Sequence, residues 1–325
     1  MNPILLPSNR PAERFYRGGA RISDFRGERA SAPREPEDWI ASTTAVNGEA
    51  LVGLTRLPDG RLLREAVADD PIAWLGERHV ARWGADTRLL VKLLDAGQRL
   101  PVHAHPHDDF AATHLGTAHG KAEAWYILQG GTVHVVLRDD VAADVLADLV
   151  DRQDSAALLD LLHAVDVHPG DVVWVPPGEL HAIGAGILLL ELQQPEDLSI
   201  LLEWHDYAID GAAVGHLGLG FEVALAAVNR RGRSRSDLGE LIGPAPASDS
   251  VFPHPADEYF RLERVPVDGP TVIDQGFSVL IVSAGDVVIG GVEHRTGATL
   301  VVPHAAGALD ATGVGELLVA RPPTP

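Results

Sequence analysis

Cysteine is absent from the chain. That excludes disulfides, thiolate nucleophiles and thiolate-held metals together, so any metal must be held by His, Asp, Glu, Gln or water. Positive charge is scarce: 26 Lys and Arg against 46 Asp and Glu leave a net charge of −20. A nucleic-acid surface needs clustered cations facing phosphates, so nucleic acid is not an expected partner. The one basic run, "NRRGRSR" at 229–235, lies among Gly and Ser and reads as a solvated loop. Long apolar runs are missing as well. No stretch reaches the ~18 apolar residues of a membrane span. The opening "MNPILLPSNRPAERFYRGG" has an apolar run too short and too broken by proline for a signal peptide. The expectation is a cytoplasmic protein with no membrane partner; oligomeric state is not readable.

Lysine is nearly absent too. Of the 26 basic residues only Lys92 and Lys121 are lysines. Arginine carries a fixed charge, whereas a lysine ammonium is compact and shifts its pKa when buried. Both lysines flank a concentration of histidine, for five of the 15 histidines fall between His103 and His119, beginning "HAHPHDD". Their placement favours a chemical role over chance.

What remains is an ordinary globular composition, 46% apolar and 22% charged, over 325 residues. The first hundred residues mix loops with short strands such as "ALVGLTRL" (50–57) and a helical stretch around Pro71. "RLLVKLLDAG" (88–97) reads as a buried strand, and "EAWYILQG", "GTVHVVLR", "GDVVWVPPG" and "ILLLELQQ" follow with turn residues between them. Between 139 and 165 leucines and valines recur at three- and four-residue spacing, so this segment is expected to be an α-helical insertion, with His163 at its surface or boundary. Residues 236–256 are rich in Gly, Pro, Ser and Asp and read as a linker. Strand signals resume over 257–325, where "GATLVVP" repeats the design of "GDVVWVP". The expected fold is mainly β, with two related jelly-roll β-barrels. A metal-binding unit would span 1–235, and a degenerate one 257–325 in which His294 and His304 are structural or surface residues.

Spacing sorts the histidines. Gly97 is followed by five residues and then His103-x-His105; Glu123 by six residues and then Gly130; Gly170 by five residues and then Pro176-x-Gly178-x-x-His181. Alternate residues of a strand share a face, so His103 and His105 project together. With Glu123 and His181 on neighbouring strands they offer three imidazoles and a carboxylate, a set suited to Zn²⁺, Mn²⁺ or Fe²⁺. His107, His114 and His119 fall outside this register and belong to the loop before Glu123.

These spacings are the two motifs of the cupin barrel, except that seventeen residues separate His105 from Glu123. "LLVKLLDAGQRLPVHAHPHDDFA", "GKAEAWYILQG", "GDVVWVPPGELHAIGAGILLLELQQ" and "HDY", with "NPILL" and "EDWIAST" earlier, resemble type I phosphomannose isomerases. The resemblance implies His103, His105, Glu123 and His181 as zinc ligands, with Mn²⁺ or Fe²⁺ as alternatives. It also implies Lys92, Lys121 and Gln193 as groups that bind the sugar, and aldose–ketose isomerisation of a hexose phosphate through a cis-enediol. Lys121 is the first candidate for proton transfer and Glu191 the second. A phosphate needs local cations, and Lys92, Lys121 and an arginine of "RFYRGGAR" (14–21) are on offer. One departure stands out: where the family carries an arginine after "QQ", this chain places Leu201 or, with a gap, Glu203. Alternatives are an isomerase of another or unphosphorylated sugar, an iron-dependent cupin dioxygenase, and a non-catalytic sugar-binding cupin.

Overall fold

A computed structural model describes residues 1–246 and 250–325, so residues 247–249 of the expected linker lie outside the described part. The chain is mainly β, 31% strand and 22% helix. In chain order the strands are β1 (Ile4–Leu6), β2 (Glu37–Ile40), β3 (Leu90–Asp95), β4 (His103–Ala104), β5 (Glu123–Gln129), β6 (Gly131–Leu137), β7 (Leu162–Val167), β8 (Asp171–Val175) and β9 (His181–Ile183). They continue as β10 (Leu188–Gln193), β11 (Ile200–Leu201), β12 (Ile242–Pro244), β13 (Arg261–Asp268), β14 (Thr271–Ile273), β15 (Ser278–Ile289), β16 (Val292–Arg295), β17 (Thr299–Val302) and β18 (Leu309–Arg321).

Among the described residues all pairings are antiparallel, and they make open sheets in which no ladder closes into a barrel. A six-stranded sheet runs β12-β8-β5-β10-β3-β2, and a five-stranded sheet runs β11-β4-β9-β6-β7. Their inner faces meet in a core that includes Trp125, Ile127, Val173 and Leu189 from the first and Val133, Val135 and Ile183 from the second. β3 and β10 are buried at every residue, which fits central strands covered on both faces and explains their unbroken apolar runs.

The helical expectation holds at Ala143–Arg152 and Ser155–Asp160. Leu146, Leu149 and Val150 form one stripe that packs with Val102, Ala104, Leu137 and Ile200 of the five-stranded sheet. The Asp154 carboxylate caps the second helix by accepting from the Ala157 amide. His163 differs from expectation: it lies on β7, buried, with Nε2 2.8 Å from the Arg233 carbonyl oxygen. The helical periodicity ends at Asp160, and the next residues pair with β6. "ALVGLTRL" forms turns and one isolated bridge, Arg56 to Leu62, instead of a strand, for Gly53 and the Pro58-Asp59-Gly60 turn interrupt pairing.

The third sheet has seven strands, ordered β1-β17-β15-β18-β13 with β14 and β16 at its margins. Its first strand comes from the N-terminus, Ile4 opposite Val301. Residues 242–244, inside the expected linker, pair with β8. Among the described residues no helix is long and apolar enough to cross a membrane.

Candidate metal centre and sugar cleft

His103 opens β4 and His181 opens β9, and the two are directly paired. His105 follows β4 by one residue. The three offer ring nitrogens that all lie within 4.8 Å of one another, and all three side chains are buried. Each imidazole is oriented by the main chain: Nδ1 is 2.8 Å from the Pro101 oxygen in His103, 2.6 Å from the Leu198 oxygen in His105 and 2.9 Å from the Glu179 oxygen in His181. A carbonyl only accepts, so each Nδ1 carries the proton and each Nε2 presents a lone pair to the centre. Burial, then the neighbouring imidazoles, hold His103 well below the usual histidine range. Burial, then the Lys121 charge, bring His105 down to about 4, so both are neutral at pH 7.

Glu123 opens β5 and completes the centre, with Oε2 3.0 Å from His105 Nε2 and Oε1 3.0 Å from His181 Nε2. Burial alone would raise its carboxyl, but the Lys121 charge holds it well below the carboxylate range. It is therefore an anion facing unprotonated nitrogens. Lone pairs at that spacing repel unless a cation lies among them. Lys121 Nζ, 2.8 Å from Glu123 Oε2 and 3.1 Å from His105 Nε2, supplies positive charge on one side. His181 Nε2 has no hydrogen-bond partner among the described residues. A buried orphan imidazole nitrogen beside a carboxylate is what a divalent ion would satisfy, so the donor set fits a metal.

The centre is at the foot of a narrow cleft with about 40 Å³ of open space, room for a few waters. An alternating ladder of charge lines it. Glu191 Oε1 is 3.9 Å from Lys121 Nζ, and burial, then the Glu123 charge, push its carboxyl up to about 8. Lys92 stands opposite Glu191 in the β3–β10 register, 3.8 Å from Glu37 and 4.4 Å above the Trp39 ring. Beyond Glu37 come Arg14 and Asp197. Burial would raise the Asp197 carboxyl, but Arg14, Lys92 and Lys121 hold it below the usual range.

Lys92, His103, Lys121, Glu123 and Glu191 thus meet in one cleft, with His105 and His181 on its floor. Gln193 does not join them. It is fully buried, and its amide donates to the carbonyls of Gln194 (3.1 Å) and Glu196 (2.5 Å) instead of lining the cleft. His107 and His114 are exposed on the loop before β5. His119, on the same loop, is buried, with Nε2 2.6 Å from Asp86 and Nδ1 3.1 Å from the Arg88 guanidinium. His294 and His304 belong to no group of side chains spaced to hold a metal among the described residues.

The arginine expected near Leu201 is absent in space as well. Leu201 is a buried strand residue opposite His103, and Glu203 accepts Arg99 Nη1 and Nη2 at 2.7 and 2.5 Å. The guanidinium that lines the cleft is Arg14. Its segment is pinned to the end of β3: Arg21 N and Nη1 donate to Asp95 at 2.7 and 3.1 Å, and Gln98 N donates to the Arg17 oxygen at 3.1 Å. Gly97 permits this approach, since a Cβ there would stand 2.1 Å from the Gly18 oxygen. Sequence reasoning could offer Arg14 only as one of several arginines in 14–21, and it missed Glu37 and Asp197 altogether. Two acids far apart in sequence carry no local signature.

Fold and site define a β-rich protein with a buried three-histidine group, one that could hold a metal ion, at the foot of a charged cleft. Comparison with known proteins narrows the class. The probable mannose-6-phosphate isomerase GmuF of Bacillus subtilis is 26% identical over 322 residues, covering 95% of this chain and 96% of the relative. The mannose-6-phosphate isomerase ManA of the same organism is 35% identical over 199 residues, 60% of this chain and 58% of its own length. The crystal structure of the Bacillus subtilis mannose 6-phosphate isomerase superposes with a TM-score of 0.77 at 22% identity, covering 99% of this chain and 100% of the other. A phosphomannose isomerase mutant from Salmonella typhimurium gives 0.77 at 16% identity with both chains fully covered. No family model matches the chain. The resemblance to type I phosphomannose isomerases is borne out.

Proposed function

We propose that the protein is a metal-dependent aldose–ketose isomerase that interconverts mannose 6-phosphate and fructose 6-phosphate. The observation that carries this reading is the convergence of three imidazoles and an ionised carboxylate beside a Lys121–Glu191 pair. His103, His105, Glu123 and His181 would hold the ion, zinc by preference and manganese or iron as alternatives. When bound, the ion supplies Lewis-acid stabilisation of negative charge on the carbonyl and hydroxyl oxygens.

The chain's own residues supply the proton transfer. In its deprotonated form, Lys121 or Glu191, both of which line the cleft, takes the C2 hydrogen of the open-chain aldose as a proton. The electrons form the C1–C2 double bond of a cis-enediol. O1 takes up a proton as the enediol forms; the carbon-bound proton then returns at C1 while the O2 hydroxyl gives up its proton, so protons balance and no oxidant is needed. Lys92 binds sugar oxygens on the opposite wall. Residues 1–235 carry the chemistry, in two facing sheets that we read as a cupin-like sandwich. Residues 257–325 form the degenerate counterpart. A sugar-phosphate substrate places the reaction in the cytoplasm.

Solvent deuterium exchange tests the reading. Protein loaded with Zn²⁺ or Mn²⁺ should exchange label into C1 or C2 of mannose 6-phosphate and fructose 6-phosphate. Label entering only the free sugars would move the reading to an unphosphorylated substrate. No exchange, with oxygen uptake after Fe²⁺ loading, would identify a dioxygenase; silence in both assays would leave a sugar-binding cupin.

A further inference from the structure

Arg14 is the cleft guanidinium, and its partners leave it underused. Its Nη1 and Nη2 each lie 3.4 Å from Asp197, and its Nε lies 3.5 Å from Glu37 with no hydrogen-bond partner among the described residues. Arg99 shows what this chain does with a structural arginine: the same two-oxygen grip on Glu203 closes to 2.7 and 2.5 Å. Glu37 is shared, for its oxygens already accept the Tyr16 hydroxyl and Trp39 Nε1, the latter at 2.6 Å. Asp197 is shared as well, accepting the Asn47 amide at 3.2 Å. The guanidinium is nonetheless held in place, 5.9 Å from the ring centroids of both Phe15 and Trp39. A rigid fork of donors with long, incomplete bonds is preorganised for a different anion.

A second polar group lies in the same cleft. Ser199 lines it, and among the described residues the Ser199 hydroxyl has no hydrogen-bond partner. Between Asp197, which faces Arg14, and Ser199 lies Leu198, whose carbonyl orients His105. One tripeptide, with a Cα span of about 7 Å when extended, therefore carries residues that touch the guanidinium and the metal centre.

We propose that Arg14, assisted by Ser199, grips the phosphate of the substrate and sets the preference for a sugar phosphate over the free sugar. This rests on the reading of the site as a hexose-phosphate isomerase. The bidentate fork stands in for the guanidinium that Leu201 does not provide, and it enters from the N-terminal segment instead of from the strand beside the metal centre. Asp197 yields to the phosphate, since its two contacts with Arg14 are long, 3.4 Å each.

Mannitol 6-phosphate and mannitol separate the phosphate from turnover, because neither has a carbonyl to isomerise. Calorimetric titration of the full chain loaded with Zn²⁺ should show mannitol 6-phosphate binding at least ~10-fold more tightly than mannitol. Arg14→Gln should reduce that preference to within ~3-fold while leaving mannitol affinity unchanged, and Arg14→Lys should retain part of it because lysine offers charge without the fork. Ser199→Ala should lower it by a few-fold, roughly one hydrogen bond. If Arg14→Gln does not fold, the Arg14→Lys and Ser199→Ala proteins decide the matter. An undiminished preference in the variants overturns the assignment, and so does a wild type with no preference. Failure of the isomerase reading is seen separately, as absent deuterium exchange in a wild type that still prefers the phosphorylated alditol.

Discussion

His103, His105 and His181 each donate the Nδ1 proton to a main-chain carbonyl, and that leaves three lone pairs with a common direction. The arrangement depends on single residues. His105→Ala removes one ligand, and the variant should retain little or no Zn²⁺ after dialysis, measured by metal analysis; unchanged stoichiometry would mean that the ion sits elsewhere. The grouping of these candidate ligands was legible because strand alternation and glycine spacing are local. Gly97 and Gly130 have steric causes in the fold, for a Cβ at Gly130 would stand 2.2 Å from the Val167 oxygen. Gln193 was misplaced for the complementary reason: strand parity puts it on a face but does not say that its amide turns back to the Gln194 and Glu196 carbonyls.

At the scale of elements, the short strands that carry the histidines need holding, because β4 and β11 have two residues each. Glu203, just past β11, ties them together by accepting the Val102 amide at 2.9 Å and the Arg99 guanidinium. Burial would raise the Glu203 carboxyl, but those hydrogen bonds hold it below the usual glutamate range. A depressed folded pKa means stability that is fully present above the unfolded value of about 4.3 and lost as pH falls through the folded value. Glu203→Gln should therefore cost about 1–3 kcal/mol near neutral pH. The gap to wild type in urea unfolding should close as pH drops below 4; a gap independent of pH would contradict the ionic role. The pairing of Glu203 with Arg99, over a hundred residues earlier, was not legible. Sequence marks Glu203 only as a position where an arginine was expected, and its partner is chosen by the fold.

Across the whole molecule one core runs through both halves. Leu93, Val172 and Leu190 of the six-stranded sheet share a cluster with Leu262, Ile281 and Leu318 of the seven-stranded sheet. Phe260 is fully buried at the junction, its ring 6.1 Å from Trp174 and 5.9 Å from Phe252. Thermal unfolding should be a single transition, and Phe260→Ala should destabilise it as a whole by about 3–5 kcal/mol; two separate transitions with only one displaced would show that the halves fold apart. The mainly β character and the helical insertion were readable from periodicity. The return of the N-terminal strand to the last sheet was not, because β1 has three residues and its partner β17 begins at residue 299. That return also closes the route by which the segment bearing Arg14 reaches the cleft. The most direct test of the central claim is interconversion itself: wild-type protein loaded with Zn²⁺ and supplied with mannose 6-phosphate, with fructose 6-phosphate measured over time. The account predicts formation of fructose 6-phosphate that a chelator stops and that His105→Ala lacks. No product from metal-loaded wild type, or equal product from His105→Ala, would contradict it.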